Sequence, residues 1–212
     1  MISHALTIVL NELNLHLTDN YGADSMNVAR LGNLADGFGN GQGDNPRDSL
    51  YLSVVNIKEE KALKNVPHTT RNDVTLRTVY ENPPAFVNFL ILVVGAHNNY
   101  TNALLMLSRA IRFFQAQSVF THDNVDPTSI TINAPGNTLD HLETFKLIFD
   151  LYSPNLEEIN HLWGTLGGKQ YPFALYTLRM LELKFRSLQR ESGVITEIVH
   201  DFQHKQAQGS SR

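Results

Sequence analysis

Cysteine is absent from the 212 residues. That excludes a disulfide framework, thiolate nucleophiles and cysteine zinc cages, and it leaves folding to burial. Basic residues are scarce: 17 Lys and Arg against 21 Asp and Glu set the net charge at −4 and the pI near 6.1. The clustered cations that neutralise phosphates are missing, so nucleic acid is not expected as a partner. No apolar run approaches the roughly 18 residues of a membrane-spanning helix. No basic residue precedes Arg30 to open a signal peptide, so the expectation is a cytoplasmic chain without direct membrane insertion.

Nucleotide-binding motifs are missing as well. Gly37, Gly39, Gly41 and Gly43 are spaced GxGxGxG and run on to Pro46; they lack the spacing and the strand-to-helix context of a dinucleotide fingerprint and read as a loop. Gly167-Gly168-Lys169 fails as a phosphate loop twice, with Trp163 where a glycine is needed and Gln170 where Ser or Thr is needed. Asn99-Tyr100-Thr101 fits a glycosylation sequon and reads as a chance match near a helix start. His200 and His204 in HDFQH share the i, i+4 spacing of zinc-binding HExxH pairs. Asp replaces Glu, no third ligand follows, and the pair sits near a polar terminus, so no metal, cofactor or catalytic residue is expected.

What the chain does have is apolar content, 42%, enough for one substantial core at about 100 to 200 residues per domain. Ile2, Leu6, Val9, Leu10, Leu13 and Leu17 recur at helical period, with Ser3 near the start and Gly22 after the end. Residues 26–35 are compatible with a strand. Residues 49–57 (SLYLSVVNI) and 86–94 (FVNFLILVV) are β-rich, the second a nearly continuous apolar run that predicts a central strand. Between them, residues 67–79 are polar and read as a loop.

A second helix is expected over 99–117, with Tyr100, Ala103, Leu104, Leu107, Ala110, Ile111 and Phe114 on one face. Short alternation predicts strands at 128–132 and 143–151, the latter with Phe145, Leu147, Phe149 and Leu151 on one side. Residues 175–185 alternate with apolar residues on both faces, Tyr176, Leu178 and Met180 opposite Leu175, Leu181, Leu183 and Phe185. Elements in this order predict an α+β fold: a single domain with a mixed, mostly antiparallel sheet packed by helices.

The densest signal lies at 153–183, SPNLEEINHLWGTLGGKQYPFALYTLRMLEL. Ser153 as cap, Pro154 at the first helical position and Glu157 and Glu158 near the positive dipole end predict a helix start. Leu156, Ile159, Leu162 and Trp163 follow at helical spacing, and Gly164, Gly167 and Gly168 permit the positive φ of a sharp stop. Trp163 reads either as core or as an interface anchor. Arg179, between Leu178 and Met180, needs a carboxylate or carbonyl partner, inside the fold or across a subunit boundary.

This stretch resembles the tail-terminator or cap family of extracellular phage-tail-like contractile injection systems, of the antifeeding-prophage type. The residues that carry the resemblance are Leu162, Trp163, Gly164, Leu166, Gly167, Gly168, Tyr171, Pro172, Leu175, Tyr176, Arg179, Met180 and Leu181. MISHAL at the start, NIKEEKALKN at 56–65 and the NPP turn at 82–84 add to it. The resemblance covers roughly residues 1–185, apart from the glycine-rich stretch, and leaves 186–212 as a C-terminal tail, sheath-contacting or flexible.

The resemblance implies a phage tail-terminator-like fold and a structural, non-enzymatic role. The chain would form a homohexameric ring on the distal end of the inner tube and the last sheath layer, ending polymerisation. Its partners would be itself, the inner tube protein and the sheath protein, with assembly in the bacterial cytoplasm and residence afterwards in the particle. Candidate interface residues are Trp163, Gly167, Gly168, Lys169 and Arg179, with Val194, Ile195 and Ile198 of VITEIV available for strand exchange with the sheath. Two other readings stay open: a small zinc-dependent hydrolase using His200 and His204, and a monomeric ligand-binding domain.

Overall fold

The apolar run at 86–94 becomes the axis of a sheet. In the computed structural model, which describes residues 1–24, 28–37, 47–61, 69–72, 77–80, 84–183 and 190–193, the strands in chain order are β1 (Ala29–Leu31), β2 (Asp48–Glu59), β3 (Thr69–Asn72), β4 (Arg77–Tyr80), β5 (Ala85–His97), β6 (Val119–Thr121), β7 (Lys146–Tyr152), β8 (Phe173–Leu183) and β9 (Arg190–Gly193). The helices are α1 (Ile2–Tyr21), α2 (Tyr100–Ala116), α3 (Pro127–Thr131) and α4 (Leu156–Thr165). The chain divides into two units, Met1–Asn65 with Pro84–Lys184, and Val66–Pro83 with Phe185–Arg212.

The first unit holds a six-stranded sheet in the order β1-β2-β5-β8-β7-β6. Only β1 and β2 pair in parallel; the other neighbours are antiparallel, which matches the expected mixed, mostly antiparallel α+β sheet. In the second unit, β3, β4 and β9 form an antiparallel sheet of their own. The expectation of a loop over 67–79 is therefore corrected by β3 and β4.

Period-two alternation gives β5 two buried faces. Phe89, Ile91 and Val93 face the core beneath α1 and α2, while Leu92, Val94 and Ala96 join Trp163 on the other side. On the first face α1 contributes Ala5, Ile8, Val9, Leu13 and Leu17, all at or below 2% exposure. An aromatic cluster fills the space under α2: Phe114 stacks on Phe149 with centroids 4.8 Å apart and lies 4.7 Å from Tyr176. Such pairs contribute about 0.5–1.5 kcal/mol each beyond their buried area. The buried face of α2 is centred on Met106, Leu107, Ala110 and Phe113, whereas Tyr100 and Leu104, expected inside, are 66% and 43% exposed.

Close approach of α2 to β5 depends on Gly95. A Cβ there would run into the carbonyl oxygen of Ala103 in the first turn of the helix, so only glycine lets the two backbones meet.

Polar side chains of α1 hold the connections around it. His4, 1% exposed, accepts from the Leu142 N–H at Nδ1 (2.9 Å), which places its proton on Nε2 for donation to the Ile130 carbonyl (2.9 Å). Glu12 Oε1 accepts from Asp126 N–H, and Asn11 Nδ2 donates to the carbonyls of Ser129 and Ile132. Asn14 pairs with both backbone groups of Ala29. These bonds satisfy backbone groups that no ladder reaches.

Three further expectations are corrected. Residues 128–132 are not a strand: Asp126 accepts from Thr128 N–H and Pro127 opens the short helix α3, so a cap outweighs the β-branched alternation. Among the described residues of 26–35, the strand is the three-residue β1, followed by a 3-10 turn at Leu34–Asp36. On β8 the alternation breaks at a bulge. Val87 pairs with Leu181 and Phe89 with Leu178, two steps on β5 against three on β8, so Leu181 lies with Tyr176 and Leu178 rather than opposite them.

Candidate functional site

Among the described residues, α4 is the α-helix that packs on the second face of the six-stranded sheet. Its start lies two residues beyond the expected cap: Asn155, not Ser153, accepts from Glu158 N–H (2.8 Å), while the Glu158 carboxylate accepts from Asn155 N–H (2.9 Å). This reciprocal capping box stabilises by about 1 kcal/mol. The other oxygen of Glu158 accepts from Tyr152 O–H (2.9 Å), tying the end of β7 to α4. That bond is the first cause of the raised Tyr152 pKa, ahead of burial and the negative charge of Glu158.

At its far end α4 stops as the glycines dictate. Gly167 and Gly168 take φ of 90° and 75°, and Gly168 N–H reaches back to the Trp163 carbonyl at 2.7 Å, the 6→1 bond of a Schellman-type end. Gly164, expected to take positive φ, instead lies inside the helix.

Trp163 points inward. It is 6% exposed and packs against Phe173 and Tyr171, with centroids 5.4 and 6.1 Å away, and its indole N–H is buried without an acceptor among the described residues. With Tyr51, Leu92, Val94 and Leu175 it forms the small core of this face. Lys169 is exposed just past the turn. Arg179 finds its partner inside the chain: Nε lies 3.0 Å from Asp150 Oδ2 on the neighbouring β7, with both side chains about half exposed. The turn thus groups Gly167, Gly168 and Lys169 beyond the buried Trp163, whereas Arg179 stands farther along β8. Val194, Ile195 and Ile198, and the pair His200 and His204, lie outside the described residues.

α4 spans ten residues and, among the described residues, does not cover the whole of this face. A groove of about 480 Å³ runs beside it, reaching residues of β2, β5, β7 and β8. Its apolar floor includes Val55, Leu90, Leu162 and Leu175, and Lys58, Arg179 and His161 supply cationic or titratable groups. On α4 itself Leu156 is exposed, whereas the exposed Ile57 and Leu151 pair with Phe89 and Tyr176 and so belong to the opposite face of the sheet. An apolar cleft edged by a few polar groups is the form that binding sites commonly take. Sequence reading missed the groove because four strands and a helix contribute to it and no contiguous motif announces it. Among the described residues no helix is long and apolar enough to cross a membrane.

Two solved structures share this architecture. One is the sheath/tube terminator of an extracellular contractile injection system (PVC) in its extended state: TM-score 0.62, 12% identity, covering 99% of this chain and 65% of that one. The other is the tube-terminating cap of the anti-feeding prophage: TM-score 0.55, 14% identity, covering 92% of this chain and 60% of that one. The likeness is one of fold, and the chain spans less than two thirds of the length of either. No curated protein matches the chain. The sequence profile of the Pvc16 N-terminal domain, however, matches residues 5–197. A fold shared with two terminators and a profile that runs through the helices and strands described above lead to one assignment: the chain belongs to the Pvc16 N-terminal domain family.

Proposed function

We propose that this chain is the structural cap of a contractile injection system, a tail terminator that sits on the distal end of the inner tube and the last sheath layer. The observation that carries the reading is the terminator fold matched over 99% of the chain. It is joined by family membership across residues 5–197. Capping is steric. A growing tube offers the same interface at every layer, and a ring that binds this end without presenting an identical outer face stops addition. No bond is made or broken, so the role is non-enzymatic.

The ring is a homohexamer, assembled in the bacterial cytoplasm and retained in the particle. Tube and sheath proteins are its partners, and the segment after β9, with Val194, Ile195 and Ile198, is available for strand exchange with the sheath. Residues 1–185 carry the terminator fold in this reading, and residues 186–212 add contacts to it. Adding purified chain to polymerising tube protein tests the activity. Substoichiometric chain should stop growth and shorten the tubes, measured by electron microscopy; tube lengths that ignore the chain would remove the reading.

A further inference from the structure

The groove beside α4 has a counterpart on the same chain. Between Arg112 and Lys146 the sequence has no Lys or Arg, yet it carries Asp123, Asp126, Asp140 and Glu143. This connection packs against α1, on the face of the sheet opposite α4, through the bonds of His4, Asn11 and Glu12. His141 braces it further by bonding the Pro135 carbonyl at 2.7 Å. Two aliphatic side chains project from it regardless, Ile132 at 52% and Leu139 at 66% exposure.

We propose that in the assembled ring this acidic connection of one copy docks into the groove of the next, seating Leu139 and Ile132 on the floor of Val55, Leu90 and Leu162. The reading rests on the ring proposed above. Charge supports it: Lys58 lines the groove beside Arg179, whose guanidinium is shared with Asp150, and they meet a connection that carries Asp123, Asp126 and Glu143 besides Asp140, which pairs with the Met1 amino group. The groove's own carboxylate, Glu158, is engaged by the helix cap and by Tyr152. Geometry supports it too. The two surfaces lie on opposite faces of one sheet, so a chain cannot satisfy its own groove, and a contact between unlike surfaces is the heterologous kind that closes into a ring. The connection is already braced by hydrogen bonds, so little ordering is lost on docking. A volume near 480 Å³ lies in the range of pockets that take small ligands or a few side chains.

The absence of native cysteine makes cross-linking a clean test. Thr165 lines the groove and is exposed. A variant carrying both Leu139→Cys and Thr165→Cys, incorporated on tube ends and oxidised, should give covalent multimers up to the closed ring. Mixing the two single variants should stop at dimers. Rings of normal mass without such multimers, or cross-links that capture tube or sheath protein instead, overturn this contact while leaving the cap intact. Loss of the ring from tube ends in the unmodified protein overturns the cap reading itself. Independently, Lys58→Glu should weaken association between copies about tenfold at low salt, with the gap narrowing as salt screens the charges; undiminished association counts against the docking.

Discussion

The two faces of the six-stranded sheet are built to different standards. Under α1 and α2 lies a continuous core in which Phe113, Phe114, Phe120, Phe149 and Tyr176 interlock. Under α4 a smaller cluster gathers around Trp163, beside an open groove lined by Val55, Leu90 and Leu162. The difference separates two tasks. The first face supplies most of the burial that holds the unit together, and the second leaves a cleft open beside a short helix.

Substitutions can break that comparison. Phe114→Ala should cost about 3–5 kcal/mol in denaturant unfolding, the range for an aromatic removed from a packed core. Trp163→Ala should cost less, about 3 kcal/mol at the low end of that range, because half-buried Ile159, Leu162 and Tyr171 can settle into the space. Equal losses would contradict the asymmetry. Trp163→Phe should be milder than either, since the indole N–H has no acceptor to lose among the described residues.

Smaller effects sharpen the picture. Gly167→Ala must hold an L side chain at φ 90° and should cost about 1–2 kcal/mol, read from the unfolding midpoint; no change would mean the turn is not fixed. Arg179→Ala should stay below about 1 kcal/mol, because its ion pair with Asp150 is half exposed.

Alkaline pH probes the thick face in another way. Burial pushes the Tyr176 hydroxyl from 10.0 up to about 12. The folded chain therefore keeps a proton that the unfolded chain releases, so this stability is complete below pH 10 and is lost as pH rises through 12. Tyr176→Phe should flatten the fall in stability across that window. Tyr51, also raised chiefly by burial, leaves a residual slope. An unaltered pH profile in the variant would refute the assignment.

Much of this was legible in the sequence where one physical signal acted alone. The stripe of α1, the continuous run of β5 and the glycine stop of α4 each follow from periodicity or from a backbone requirement. Residues 128–132 misled because β-branched alternation competed with the cap made by Asp126 and Pro127. Leu181 changed sides because a bulge shifts the register of β8, and nothing local in LYTLRMLEL marks it. On α2, Met106 and Phe113 displaced Tyr100 and Leu104 from the core because the sheet, not the helix, decided which arc is covered. His4 reads as one histidine among nine; its clamp on Ile130 and Leu142 spans more than 120 residues. The groove was illegible for the same reason, being assembled by topology from side chains far apart in the chain.

The capping role is tested most directly by electron microscopy of particles from a strain that lacks this chain. The account predicts tubes and sheaths of irregular length whose distal ends lack the terminal layer. Uniform particles with a normally finished distal end would contradict it.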